Sequence, residues 1–173
     1  MGAEDDAAVL RSGLDQLAAL LDDLPAGRSG DPTPCRDWDL GQLVDHVVAA
    51  PARFAAMARG QTVDWSVTPP AGEQPAARFR ANADDLLAAV REGADAVPVD
   101  WQSAELAVHT WDLATALGRP TGDLDPAVAE RGLAFMTRSL TADNCDPAFG
   151  LEQPAPEGAD AYQRIAAFAG RSP

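Results

Sequence analysis

Leu10, Leu14, Leu17, Leu21 and Leu24 recur at spacings of four and three residues. That repeat puts all five on one stripe of an α-helix. An apolar stripe of this kind has to be covered, so the chain must fold as helices packed on one another. Pro25, Gly27 and Gly30 end this first helix, and a loop rich in turn formers follows, Ser29 to Arg36. Asp39 is placed to cap a second helix, whose apolar face is Leu40, Leu43, Val44, Val47 and Val48. Pro51 is expected to kink or split that helix, with Phe54 and Met57 continuing the pattern to about Arg59.

The same reading places a third helix over about Ala76 to Ala96, with Phe79, Leu86, Leu87 and Val90 inward. A fourth runs from about Trp101 to Leu117 and stops at Gly118-Arg119-Pro120. A fifth begins near Asp125-Pro126 and carries Leu133, Phe135, Met136 and Leu140. A long surface segment over 143 to 158 leads to a short last helix, about Asp160 to Ala169. No strand or solenoid repeat stands out. The expected fold class is all-α, an antiparallel four-helix core with one or two extra short helices, in one domain over residues 1–173.

Charge narrows the function. The chain has 13 basic residues, all Arg, against 27 acidic ones, a net charge of -14. Such a surface repels nucleic acid and anionic lipid, so no nucleic-acid or membrane role is expected. The N-terminus has no basic and apolar leader, and no apolar run approaches a membrane span of roughly 18 residues. A cytoplasmic location follows as the expectation. Cys35 and Cys145 form no disulfide framework and are expected to be free thiols.

The chemistry rests on the two histidines in the chain. His109 follows Glu105 by four residues in the fourth helix, which puts both on one face about 6 Å apart at Cβ. His46, from the second helix, can add a third ligand to the same metal ion. Spacing alone also fits an exposed intrahelical pair and a satisfied, partly buried histidine. The surroundings weigh against that: Leu43 and Val47 flank His46, and Leu106, Val108 and Leu113 flank the pair. A buried Glu105 needs a cation or a hydrogen-bond partner. The chain has no Lys, and the fourth helix has no Arg before Arg119. Two nitrogens and one oxygen suit zinc, nickel, iron or cobalt better than magnesium or calcium. Three protein ligands leave a position open, as in catalytic zinc sites.

Other residues are weighed beside these. Asp112 shares nearly the face of His109 and is either a carboxylate that orients a ligand or a surface acid. Asp45 points about 100° from His46 and is expected on an exposed face. Arg53 is either a contact for an anionic substrate or thiol cofactor or a solvated side chain. Trp38 and Trp111 are expected to pack at the bundle. Cys35 could approach the metal mouth, although an inert thiol is the simpler reading.

Thr33-Pro34-Cys35-Arg36-Asp37-Trp38-Asp39-Leu40, followed by Leu43-Val44-Asp45-His46, resembles the opening motif of the mycothiol-dependent maleylpyruvate isomerase N-terminal domain family, part of the DinB-like group of metalloenzymes. Glu105-Leu106-Ala107-Val108-His109-Thr110-Trp111-Asp112-Leu113-Ala114 resembles its second motif, and the end, Phe149-Gly150 through Ala167 to Pro173, is similar to the close of a small actinobacterial branch. The resemblance implies an up-down-down-up four-helix bundle with His46, Glu105 and His109 as ligands of one divalent metal, zinc first, nickel or iron next. It also implies mycothiol as thiol cosubstrate and a small electrophile as substrate, in a transferase or isomerase reaction. The named isomerase has a second, C-terminal domain, which is not expected in a chain ending at Pro173. The Gly93 to Asp100 connection is expected to be shorter than in that branch. The same site could instead activate water as a hydrolase, or serve a non-catalytic metal-binding or stress-related interaction protein. A bundle surface also supports a homodimer as an expectation.

Overall fold

The leucine stripe becomes the buried side of α1 (Ala3–Asp22), with Leu10, Leu14, Leu17 and Leu21 each at most 2% exposed. The computed structural model describes residues 3–92, 99–140 and 150–173, with side chains from Asp6 onward. Five further helices follow: α2 (Leu40–Ala58), α3 (Pro75–Arg91), α4 (Val99–Ala116), α5 (Pro126–Ser139) and α6 (Ala161–Phe168). The protein is an all-α bundle. Four helices form its core, α1 and α2 each packing on both α3 and α4. Helix α5 lies on α4 and α1, and α6 lies on α5 and α4. This packing is consistent with a DinB-like bundle carrying extra helices. The described residues contain no strand, only one antiparallel bridge, Pro32 with Asp39.

Local chemistry sets the helix starts. Asp39 caps α2 by accepting the Gln42 N–H at 2.9 Å, while the Gln42 side chain accepts the Asp39 N–H at 3.0 Å. This reciprocal box satisfies two backbone donors that a helix start otherwise leaves free. Asp160 and Gln163 repeat it at α6. Asp125 caps α5, with Pro126 in its first turn.

Pro51 does not split α2, which runs unbroken through it. Proline leaves the carbonyl four residues earlier, Val47, without its N–H partner. Asn82 of α3 donates to the neighbouring Val48 carbonyl at 2.7 Å, so the interruption is stitched to the helix beside it. Packing then outweighs the local defect: Val47, Val48, Phe54 and Ala55 are all buried.

Helices α4 and α5 meet at a glycine. A β-carbon at Gly132 would lie 2.8 Å from the Ala104 Cα and 2.9 Å from the Ile165 Cδ1, so any side chain there would force the helices apart. Helix α3 is described to Arg91; the expected continuation to Ala96 falls largely in residues 93–98, outside the described residues, as does most of the Gly93 to Asp100 connection. Residues 141–149, with Cys145 and part of the expected surface segment, also lie outside them.

Candidate metal centre

Helices α2 and α4 pack so that His46 and the Glu105–His109 pair face each other. His46 Nε2 lies 3.3 Å from Glu105 Oε2, and His109 Nε2 lies 3.5 Å from the same oxygen. The two imidazole centroids are 4.7 Å apart. One donor atom from each residue lies within 4.8 Å of the others, a cluster capable of coordinating a metal ion. Ligands bound at about 2.0–2.1 Å in a tetrahedral arrangement sit about 3.3 Å apart. The two histidine-to-glutamate distances match that spacing, so the residues fit a small divalent ion. Other members of this constellation complete its walls.

Trp38, expected to pack at the bundle, stands against the site. Its ring centroid is 4.5 Å from that of His46 and 5.8 Å from that of His109. The Thr33 hydroxyl shapes the turn that carries it, reaching the Trp38 carbonyl at 2.7 Å and that of Cys35 at 3.0 Å. Trp111 is buried in the core.

Behind the cluster lies a chain of polar groups that the sequence only half disclosed. Asp112 is fully buried, with Oδ2 3.2 Å from His109 Nδ1. Arg171, from the segment after α6, donates from Nη2 to Asp112 Oδ2 at 2.9 Å and from Nε to Oδ1 at 3.2 Å. Its Nη1 donates to the Ala169 carbonyl at 3.0 Å. A carboxylate only accepts, so the His109 ring presents Nδ1–H to Asp112 and turns Nε2 towards Glu105. Sequence reasoning missed Arg171. Its signal was the lack of any cation in the fourth helix: a buried Asp112 had to find one elsewhere.

Electrostatics follow from these contacts. Burial alone would raise the Glu105 carboxyl, but hydrogen bonds with His109 and His46 hold it well below the usual carboxylate range. Burial would lower the His109 imidazolium, yet Asp112 and Glu105 push it up to about 9. Burial dominates at His46, whose value is lowered despite Glu105. Asp112 is held low against its own burial by His109 and Arg171.

The remaining candidates have other tasks. Arg53 is buried rather than solvated: its Nη2 donates to the Val67 carbonyl at 2.5 Å and to Thr68 Oγ1 at 3.2 Å. Its guanidinium also lies 5.1 Å from the Trp65 ring. It therefore fastens the loop after α2, and these contacts are to the chain itself. Asp45 is not a free surface acid, because it accepts the Ala71 N–H at 2.7 Å. Burial raises the Cys35 thiol above its ordinary value, with nearby Arg171 acting in the other direction.

The sequence comparisons agree on the family. The mycothiol maleylpyruvate isomerase N-terminal domain family matches residues 10–121, more than half of the chain. The chain belongs to that family. The matched stretch contains His46, Glu105, His109 and Asp112, whereas Arg171 lies beyond it. Two uncharacterized proteins of Mycobacterium tuberculosis, MT0763 of strain CDC 1551 and Rv0738 of strain H37Rv, are each 30% identical over 178 residues, covering 91% of this chain and 93% of the relative. No solved structure matches this member of the mycothiol maleylpyruvate isomerase N-terminal domain family.

Proposed function

We propose that the protein is a metal-dependent enzyme of thiol chemistry, a mycothiol-dependent S-transferase or isomerase acting on a small electrophile. The observation that carries this reading is the convergence of His46, Glu105 and His109 within the family-matched residues. These three are the ligands in this reading, and zinc is the first choice of ion, with nickel or iron next. When bound, such an ion supplies a Lewis acid and lowers the pKa of a thiol at its open position.

The chain's own groups have distinct parts. Glu105 offsets one of the two positive charges. Asp112, clamped by Arg171, keeps His109 turned with Nε2 inward. Trp38 shields the two imidazoles on one side. Burial raises the Cys35 thiol above its ordinary value and so disfavours its thiolate, which favours a thiol supplied from outside.

The test is elemental analysis of protein purified without added metal, wild type beside His46→Ala, followed by an electrophile panel with and without mycothiol. About one zinc, nickel or iron per chain, lost in the variant, with mycothiol-dependent loss of an electrophile, is the expected result. Turnover without thiol would favour metal-activated water and a hydrolase. Metal without any turnover would favour a binding protein. A wild type that takes up no ion after equilibration sinks the proposal.

A further inference from the structure

Gln102 lies one turn before Glu105 and two turns before His109 on α4, and only 2% of it is exposed. Neither its Nε2 nor its Oε1 has a hydrogen-bond partner among the described residues. Buried amides without partners are rare, because desolvating them without a replacement bond is unfavourable. The amide borders a small cavity also lined by Leu17, Val47, Ala50, Leu106, Glu105 and His109. Four of those six walls are apolar side chains with nothing to offer an amide; the two polar ones, Glu105 and His109, belong to the candidate metal cluster. The room for the centre of a water-sized sphere is about 10 Å³. That is close to one water molecule.

We propose that this cavity is a binding site for one water molecule, which links the Gln102 amide to the Glu105 carboxylate and makes Gln102 a positioning residue for Glu105. The water accepts from Gln102 Nε2–H and donates to Glu105, an ionised carboxylate that can only accept. Both histidines approach the single oxygen Oε2 of that carboxylate, so rotation about its terminal bond is what a further hydrogen bond would restrain. Groups that hold a ligand's orientation in this way typically alter metal affinity about 10–100-fold when removed. The link to metal affinity rests on the metal-centre reading; the water site itself does not.

Two measurements on the whole chain test this, comparing wild type with Gln102→Leu. The leucine keeps bulk in the cavity and removes the buried amide together with its need for a water, so the variant should fold about as well as wild type in a thermal melt. A high-resolution crystal structure of the metal-free wild type should show one water within hydrogen-bond distance of both Gln102 and Glu105, and the variant should lack it. Zinc affinity, by competition with a chelator, should fall about tenfold or more in the variant. A dry cavity overturns the proposal, and so does an ordered water with unchanged zinc affinity in a folded variant. Should the wild type bind no zinc, the metal-centre reading fails while the crystal structure still decides the water site.

Discussion

At the scale of single residues, His109 links proton, metal and stability. In the metal-free protein its imidazolium sits between Glu105 and Asp112, with a pKa raised from 6.5 to about 9. Folding therefore favours the protonated ring. Its contribution is full below about pH 6.5 and is lost as pH rises through 9, on the order of 3 kcal/mol in all. Urea unfolding of metal-free protein at pH 6 and pH 9.5 should show that loss, and His109→Gln should flatten it. Metal uptake runs the other way: Nε2 must lose its proton before it can ligate, so metal affinity should climb over the same range. Calorimetry of zinc binding at pH 7 in buffers of different ionisation enthalpy should show about one proton released per ion. Arg171 is the second residue with a large expected effect. Arg171→Met would remove the bidentate partner of the fully buried Asp112 and leave it with His109 alone. Breaking a buried pair from one side costs about 3–5 kcal/mol, and denaturant unfolding at neutral pH would register it.

Among the elements, the segment after α6 is the least conspicuous and among the most constrained. Gly170 has φ +83°, and a β-carbon there would lie 2.5 Å from the Gly150 Cα. Glycine alone satisfies both demands, and together they aim the next residue, Arg171, at Asp112. Gly170→Ala should lose about 1–3 kcal/mol from the backbone conformation alone, with the contact against Gly150 adding to it. Its melting temperature and its zinc affinity should both drop, because the Arg171 clamp moves with the backbone. The legibility of the elements differs for physical reasons. The Leu10 to Leu21 stripe and the cap at Asp39 act within a turn or two, so the local sequence revealed them, whereas the caps at Asp125 and Asp160 were marked only as helix starts. Pro51 does not split α2 because the packing that buries Val47, Val48, Phe54 and Ala55 outweighs the local defect, and packing has no local signal to read. The Glu105–His109 pair was legible as one helix face, whereas its opposition to His46 needed the packing of α2 on α4. Asp45 and Arg53 looked like surface groups because the loop backbone they hold is irregular and has no period to read.

For the molecule as a whole, the balance of 13 basic against 27 acidic side chains sets its dealings with ions. Several arginines are engaged in ion pairs, Arg59 with Asp85 and Arg119 with Asp23 on the surface and the half-buried Arg131 with Asp6 and Asp100, which leaves the acidic excess without partners of its own number. A negative field of this size draws divalent cations towards the protein and is screened by salt over about 8–10 Å at ordinary ionic strength. Stopped-flow association of cobalt or zinc should therefore slow as sodium chloride is raised, with little change in the dissociation rate. No helix among the described residues is long and apolar enough to cross a membrane. The Arg171 clamp also bears on the order in which the molecule is made. Synthesis runs from the N-terminus, and His46, Glu105 and His109 leave the ribosome well before Arg171 does. Until the tail docks, Asp112 lacks the Arg171 half of its clamp and has His109 alone as its charged partner. The candidate metal cluster is therefore assembled early and braced last.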